Sequence, residues 1–239
     1  MGAHYPRAMS ALQRIGTDLW VADGPISRDL LVVPYPTRMA VARLADGSLW
    51  ITSPVPRTHQ ELAALTELGP VGHLLSPTPR HHWRLEPWHS LFPEATLWSC
   101  AMGPATLGRR SLPARRLTER APEDWAGQID QIRLRGLGFE EITFYHRASR
   151  TLLVEDLVQE HRLGSSPLVD ALIRVGGIGP GGGVPRDMRL LAPKRALRRW
   201  ARTLLSWDVE QVVVAHGPVI RTDAAGWLRR ALGPLADQS

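Results

Sequence analysis

The stretch VGHLLSPTPRHHW, residues 71 to 83, decides how this chain is read. Its first six residues form a short apolar run of the length of a buried strand, and the prolines that follow cannot continue a ladder because they have no N–H to donate. The loop then delivers two adjacent imidazoles, His81 and His82. Strand ends hold side chains rigidly at the rim of a sheet, where the sites of layered α/β proteins are built.

Working outward, the same arrangement recurs three times. His146 follows EITFY, Asp156 follows TLLV, and His216 follows QVVVA. Imidazole and carboxylate suit zinc or iron, and three or four such ligands make a site where one alone makes none. Spacing along the chain does not show whether they meet. Each histidine taken singly also fits a hydrogen-bonded structural role.

The remaining elements frame these ends. LWVAD at 19 to 23 reads as a strand, and RMAVARLADGSLWITS at 38 to 53 as a hairpin turning at Asp46-Gly47, a pair suited to a two-residue type I′ turn. HQELAALTELG, 59 to 69, places Leu62, Leu65 and Leu68 on one helical face before a glycine stop. TLWSC at 96 to 100 is a strand, the arginine-rich 108 to 120 a loop, and EITFYHRASRTLLVEDL a second hairpin turning near Arg147 to Ser149. VGGIGPGGGVP, 175 to 185, contains G-x-G-x-x-G, but no strand precedes it and prolines interrupt it, so it reads as a loop. PKRALRRWARTLLSW, 193 to 207, is an amphipathic helix with Leu197, Trp200, Leu204 and Trp207 inward. VEQVVVAHGPV is a buried strand ending at His216-Gly217, and DAAGWLRRALG, 223 to 233, a closing helix. This order fits a sheet sandwich flanked by helices better than an alternating doubly wound sheet.

Bulk properties bound the class. A chain of 239 residues, 44% hydrophobic and 22% charged, has material for a substantial core and reads as one domain over 1 to 239, with roughly the first 15 residues expected to be flexible. The net charge of +6 is compatible with contact to nucleic acid, anionic lipid or an acidic substrate, and equally with arginine-rich usage at large. The single cysteine, Cys100, forms no internal disulfide and reads as a small buried hydrophobe. No apolar run is long enough to span a membrane, and the N-terminus lacks a signal h-region, so a cytoplasmic protein without a membrane partner is expected.

LWVADGPI, YPTRMAVARLADGSLWITSPV, GPVGHLLSPTPRHHWRLEPW, FYHRASRTLLVEDL and WDVEQVVVAHGPV together resemble an uncharacterised domain-of-unknown-function family of metallo-β-lactamase-like proteins, over residues 15 to 233. The resemblance implies an αβ/βα sandwich of two mixed sheets flanked by helices. In that superfamily H-x-H-x-D-H follows a strand. Here its first two histidines fall on Pro77 and Pro79, its aspartate on His81 and its last histidine on His82, so the first metal pocket has lost its ligands. The histidine preceding the hairpin falls near Leu137, also a loss, while the hairpin aspartate corresponds to Asp156 and the late histidine to His216.

The resemblance therefore implies a reduced, mononuclear site: His82, Asp156 and His216 as ligands, with His81 as fourth ligand or support, and His146 closer to the hairpin turn as an outlying candidate. Zinc is expected before iron. Water activated at the metal would attack an ester, amide, thioester or phosphoester, with Asp156 and His82 as catalytic groups on an unspecified small substrate. The alternative is a metal-free member of the fold acting as an interaction protein through the Trp83/Trp88 region or the arginine-rich helix. Nucleic-acid handling is disfavoured because the arginines lack an interleaved aromatic platform. Arg38 and Arg150 are candidates for holding a substrate anion, Glu155 is expected on the face opposite Asp156, and His73 and His161 read as structural.

Overall fold

A computed structural model describes residues 12–26, 35–81, 84–100 and 112–237. His82, Trp83 and residues 108–111 of the arginine-rich stretch lie outside them. Among the described residues the first sheet has seven strands in chain order: β1 Gln13–Gly16, β2 Leu19–Asp23, β3 Arg38–Arg43, β4 Leu49–Thr52, β5 Val71–Ser76, β6 Thr96–Ser99 and β7 Arg115–Arg116. Pairing is antiparallel from β1 to β4 and parallel from β4 to β7. The second sheet has, among the described residues, five strands in the order β12-β11-β10-β9-β8, built from β8 Ile129–Gly136, β9 Phe139–His146, β10 Thr151–Val154, β11 Gln211–Val214 and β12 Val219–Ile220. Only the β10–β11 pair in it is parallel.

Strand alternation sorts side chains into three layers of core. From β3 and β4, Ala40, Ala42 and Trp50 face the second sheet and meet Ile142, Phe144, Leu153 and Val213. Their neighbours Met39, Val41, Leu49 and Ile51 face outward onto helices α1 His59–Thr66 and α2 Leu85–Leu91. On the far side Leu152, Val154, Val212 and Val214 pack beneath α4 Arg186–Leu191, α5 Lys194–Ser206 and α6 Ala224–Ala236. A further helix, α3 Pro167–Gly176, precedes α4. Both sheets are thus covered on both faces, which is why their strands read as continuous apolar runs rather than alternating ones.

Several local expectations change. Arg43 pairs with Leu49, so residues 44–48 form a longer loop in which Asp46 accepts from the Ser48 N–H at 2.9 Å and only Gly47 takes positive φ. The two-residue turn is therefore absent. Helix α1 ends at Thr66 but begins with a full capping box between Thr58 and Glu61. Helix α6 runs through Gly233-Pro234 to Ala236 because Leu235 and Ala236 are buried against α5 and its sheet, so packing overrides the local stop signal. Strand β8 carries no clean period-two apolar pattern in sequence, and only its long pairing with β9 makes it a strand.

Candidate metal centre

The parallel pairing of β10 and β11 sets Val154 opposite Val214. Asp156 and His216 each lie two residues past those partners, so the chain delivers both at the same height on the rim. His81 arrives from the first sheet, on the loop after β5. There Thr78 Oγ1 accepts from the Arg80 N–H at 3.1 Å, Ser76 Oγ donates to the Thr78 carbonyl at 2.9 Å, and the Ile142 N–H of β9 donates to the Pro77 carbonyl at 3.0 Å. This last bond ties the loop across to the other sheet.

The three residues converge. His216 Nε2 lies 2.9 Å from Asp156 Oδ1, His81 Nε2 lies 3.5 Å from the same oxygen, and the two Nε2 atoms are 3.3 Å apart. In a tetrahedral zinc site with bonds of about 2.0–2.1 Å, ligand atoms stand about 3.3–3.4 Å from one another. The triangle has that size. The outer imidazole nitrogens are already engaged: His216 Nδ1 donates to the Pro36 carbonyl at 2.8 Å, and His81 Nδ1 lies 3.1 Å from Glu155 Oε2 and 2.7 Å from Ser53 Oγ. A carbonyl only accepts, so Nδ1 of His216 bears the proton and its Nε2 lone pair points inward. The same logic, with Glu155 as acceptor, turns the Nε2 lone pair of His81 inward. Three electron-rich atoms facing one another require positive charge between them, as a cation or as added protons.

Electrostatics agree. Burial opposes charge on His81, but the carboxylates of Asp156 and Glu155 outweigh it and hold its pKa well above the ordinary imidazole value. Burial likewise opposes ionisation of Asp156, yet His81 and His216 hold its pKa well below the carboxylate range. Beneath them Glu141 on β9 accepts from the backbone N–H groups of Glu155, Asp156 and Leu157 at 3.1, 2.7 and 2.8 Å and from Thr143 Oγ1 at 3.2 Å. Burial and the neighbouring carboxylates push Glu141 up to about 8. Tyr35 stands edge-on to His216 with ring centroids 5.3 Å apart, and to His161 at 5.0 Å.

Two backbone features fit the tight rim. Ser53 takes φ of 53°, a left-handed conformation unusual for a non-glycine residue, and its hydroxyl thereby reaches His81. After His216, a Cβ at Gly217 would sit 2.9 Å from the Glu160 carbonyl oxygen, so that position demands glycine.

The other expected site residues fall elsewhere or beyond description. His82 lies outside the described residues. His146 pairs with Thr151, at the opposite end of β10 from Asp156, and its Nδ1 lies 2.8 Å from Ser149 Oγ; no loop shift can bring it to the rim. Arg38 holds no free anion site: it donates to Asp23 at 2.7 Å and to the Val214 and Gly217 carbonyls at 2.6 and 2.7 Å, clamping the turn that carries His216. Arg150 is an exposed partner of Asp208 and Glu210 at the far end. Glu155 reverses expectation, because β10 ends at Val154 and alternation stops with it, leaving Glu155 free to turn toward His81. Sequence reasoning missed Glu141, although paired glutamates inside the apolar run FEEITFYH were a visible signal of a buried polar task.

The sequence matches the family described as a domain of unknown function, DUF4336, over residues 18–168, more than half of the chain. The chain belongs to this family. No curated protein is matched by this DUF4336 chain. Its structure is similar to that of a fragment of a Nostoc sp. PCC 7120 protein described as diflavin flavoprotein A 5, with a TM-score of 0.67, 13% identity and coverage of 97% of this chain and 96% of that one. A metal-soaked flavodiiron core from Synechocystis sp. PCC6803 aligns with a TM-score of 0.65 and 13% identity over 96% of this chain and 61% of that one. The metallo-β-lactamase FIM-1 from Pseudomonas aeruginosa, in its mono-zinc form, aligns with a TM-score of 0.60 and 10% identity over 96% and 97%. The DUF4336 chain therefore has the metallo-β-lactamase fold, two mixed sheets flanked by helices, and at such identities the likeness speaks to the fold alone.

Proposed function

We propose that the chain is a hydrolase-like protein of the metallo-β-lactamase fold that holds one transition metal ion, zinc before iron, through His81 Nε2, Asp156 Oδ1 and His216 Nε2, with His82 as the further ligand suggested by sequence. The observation that carries this reading is the triangle of 2.9, 3.3 and 3.5 Å with both outer imidazole nitrogens committed. A metal bound there supplies Lewis acidity toward water and toward a carbonyl or phosphoryl oxygen, the chemistry of ester, amide, thioester or phosphoester hydrolysis. The protein's own contribution is positional. Glu155 and Ser53 orient His81, Pro36 and Arg38 fix the His216 turn, and Glu141 holds the turn that presents Asp156. Neutral imidazoles with a single carboxylate retain a net positive charge on a divalent ion, which favours an anionic or polarised oxygen as the fourth partner.

A second reading is a metal-free member acting by binding, in which the positive charge between the three ligand atoms comes from protons on the imidazoles rather than from an ion. The cleft reaching Asp156 between Pro79, Gly138 and Met188 has a volume of about 20 Å³, room for a water. Metal analysis by mass spectrometry on untagged protein separates the two. The hydrolase reading expects about one equivalent, lost in Asp156→Ala and His216→Ala; under about a tenth of an equivalent after reconstitution removes it.

A further inference from the structure

Among the described residues the exposed large hydrophobic side chains, Leu91 apart, lie on α3, α4 and the β8–β9 turn. Leu168, Leu172 and Val175 stand on one stripe of α3, while Val169 and Ile173 of the same helix are already buried. Leu190 and Leu191 stand on α4, Leu190 with 85% of its surface in water, and Leu137 at the β8–β9 turn is 76% exposed. These segments are contiguous: the Leu137 N–H donates to the Leu191 carbonyl at 3.0 Å, and Arg186 at the start of α4 lies against Gly177, which caps α3. Monomeric proteins seldom leave such a group of leucines in water without a partner for it.

Beside the leucines lies a groove of about 310 Å³. Its walls carry Arg186, Arg189, Lys194 and Arg198, and its floor carries the buried Leu197 and Leu235. Among the described residues none of these four cations has an ion pair, and Arg198 Nε is shielded from water with no hydrogen-bond partner. Asp187 is the acidic residue of α4, and α5 has none. Uncompensated cations next to projecting aliphatic side chains form a surface with two requirements, fixed negative charge and an apolar phase close behind it.

We propose that this face docks on an anionic lipid bilayer, the groove cations meeting headgroup phosphates while Leu137, Leu190 and Leu191 enter the acyl boundary. The association is peripheral, since among the described residues no helix is long and apolar enough to cross a membrane. A second copy of the chain is a poor occupant, because a two-fold interface would bring the same cations against one another. Nucleic acid uses the cations but gives the leucines nothing, and no exposed Trp, Tyr or Phe stands among them to stack on a base. The inference is independent of the metal centre.

The test is co-sedimentation of the untagged full chain with vesicles of phosphatidylcholine alone and of phosphatidylcholine mixed with phosphatidylserine. Binding is expected to the anionic vesicles, weakening as salt rises, with little to the neutral ones. Arg186→Gln with Arg189→Gln should weaken it about 30-fold, and Leu190→Ser with Leu191→Ser about tenfold or more. Arg115→Gln with Arg116→Gln, which removes the same charge from the edge of the other sheet, should leave it within about twofold. Absence of wild-type binding to anionic vesicles, equal binding to both vesicle types, or equal losses from the two arginine pairs would overturn the proposal. Unaltered binding by the leucine variant, with comparable affinity for duplex DNA, would reduce the face to a general polycation and overturn it as well.

Discussion

At the scale of single residues, the candidate site depends on groups outside the triangle of His81, Asp156 and His216. Glu155 accepts from His81 Nδ1 and so keeps its Nε2 lone pair turned inward. Glu155→Gln offers an amide whose N–H₂ can compete for that position, and metal affinity measured by chelator competition should fall about 10- to 100-fold, with the melting temperature of the metal-free protein changed far less. His161 behaves differently. Burial, together with the charge of nearby His216, lowers its pKa from 6.5 to about 4, and it has no exposed surface. A histidine that binds its proton more weakly when folded contributes stability that is complete above pH 6.5 and drains as the pH falls toward about 4. The loss amounts to about 3 kcal/mol across that window. Denaturant titrations at neutral and mildly acidic pH should show the steeper acid-side decline in wild type than in His161→Asn; parallel curves would refute the assignment.

At the scale of elements, the turn after β10 is held from below. Glu141 satisfies three consecutive N–H groups that the end of the strand leaves without ladder partners. Removing a buried acceptor strands its donors at about 1–3 kcal/mol each, so Glu141→Ala should cost about 3 kcal/mol or more and release metal before the fold melts. Paired calorimetry and metal analysis check this. The chain of bonds continues outward, since Thr143 Oγ1, which donates to Glu141, itself accepts from Trp200 Nε1 on α5 at 3.1 Å. The strand-end positions of Asp156 and His216 were legible in the sequence because each apolar run stops abruptly at a polar residue. Their common height was not. It arises from the β10–β11 register, which pairs Leu153 with Val213 across nearly sixty intervening residues and leaves no local mark.

At the scale of the whole molecule, two sheets close on a layer of aromatic rings. Trp50 meets Phe144 edge-on at 4.8 Å and Trp125 at 6.1 Å, with no exposed surface, so Trp50→Ala should cost about 3–5 kcal/mol, read as a lowered denaturation midpoint. That packing also sets the distance between His81, carried by the first sheet, and the Asp156–His216 pair carried by the second. Metal should accordingly stabilise the closed sandwich: at concentrations about 100 times its dissociation constant it adds about 2.7 kcal/mol, and chelation should lower the melting temperature to match. A melt insensitive to chelator would favour the metal-free reading.

What the sequence determined by itself was the inventory: apolar runs of strand length, helices with capping and amphipathic faces, and ligand-type residues at the points where the runs stop. These are local properties, governed by backbone hydrogen bonding and the period of side-chain burial. The tertiary structure decided which of those ends share a rim. It brought His81, Asp156 and His216 together, sent His146 to the far edge, turned Glu155 inward and committed Arg38 to a structural clamp. The reason is physical: convergence depends on strand register and on the stacking of two sheets, and both are settled by contacts between residues far apart along the chain.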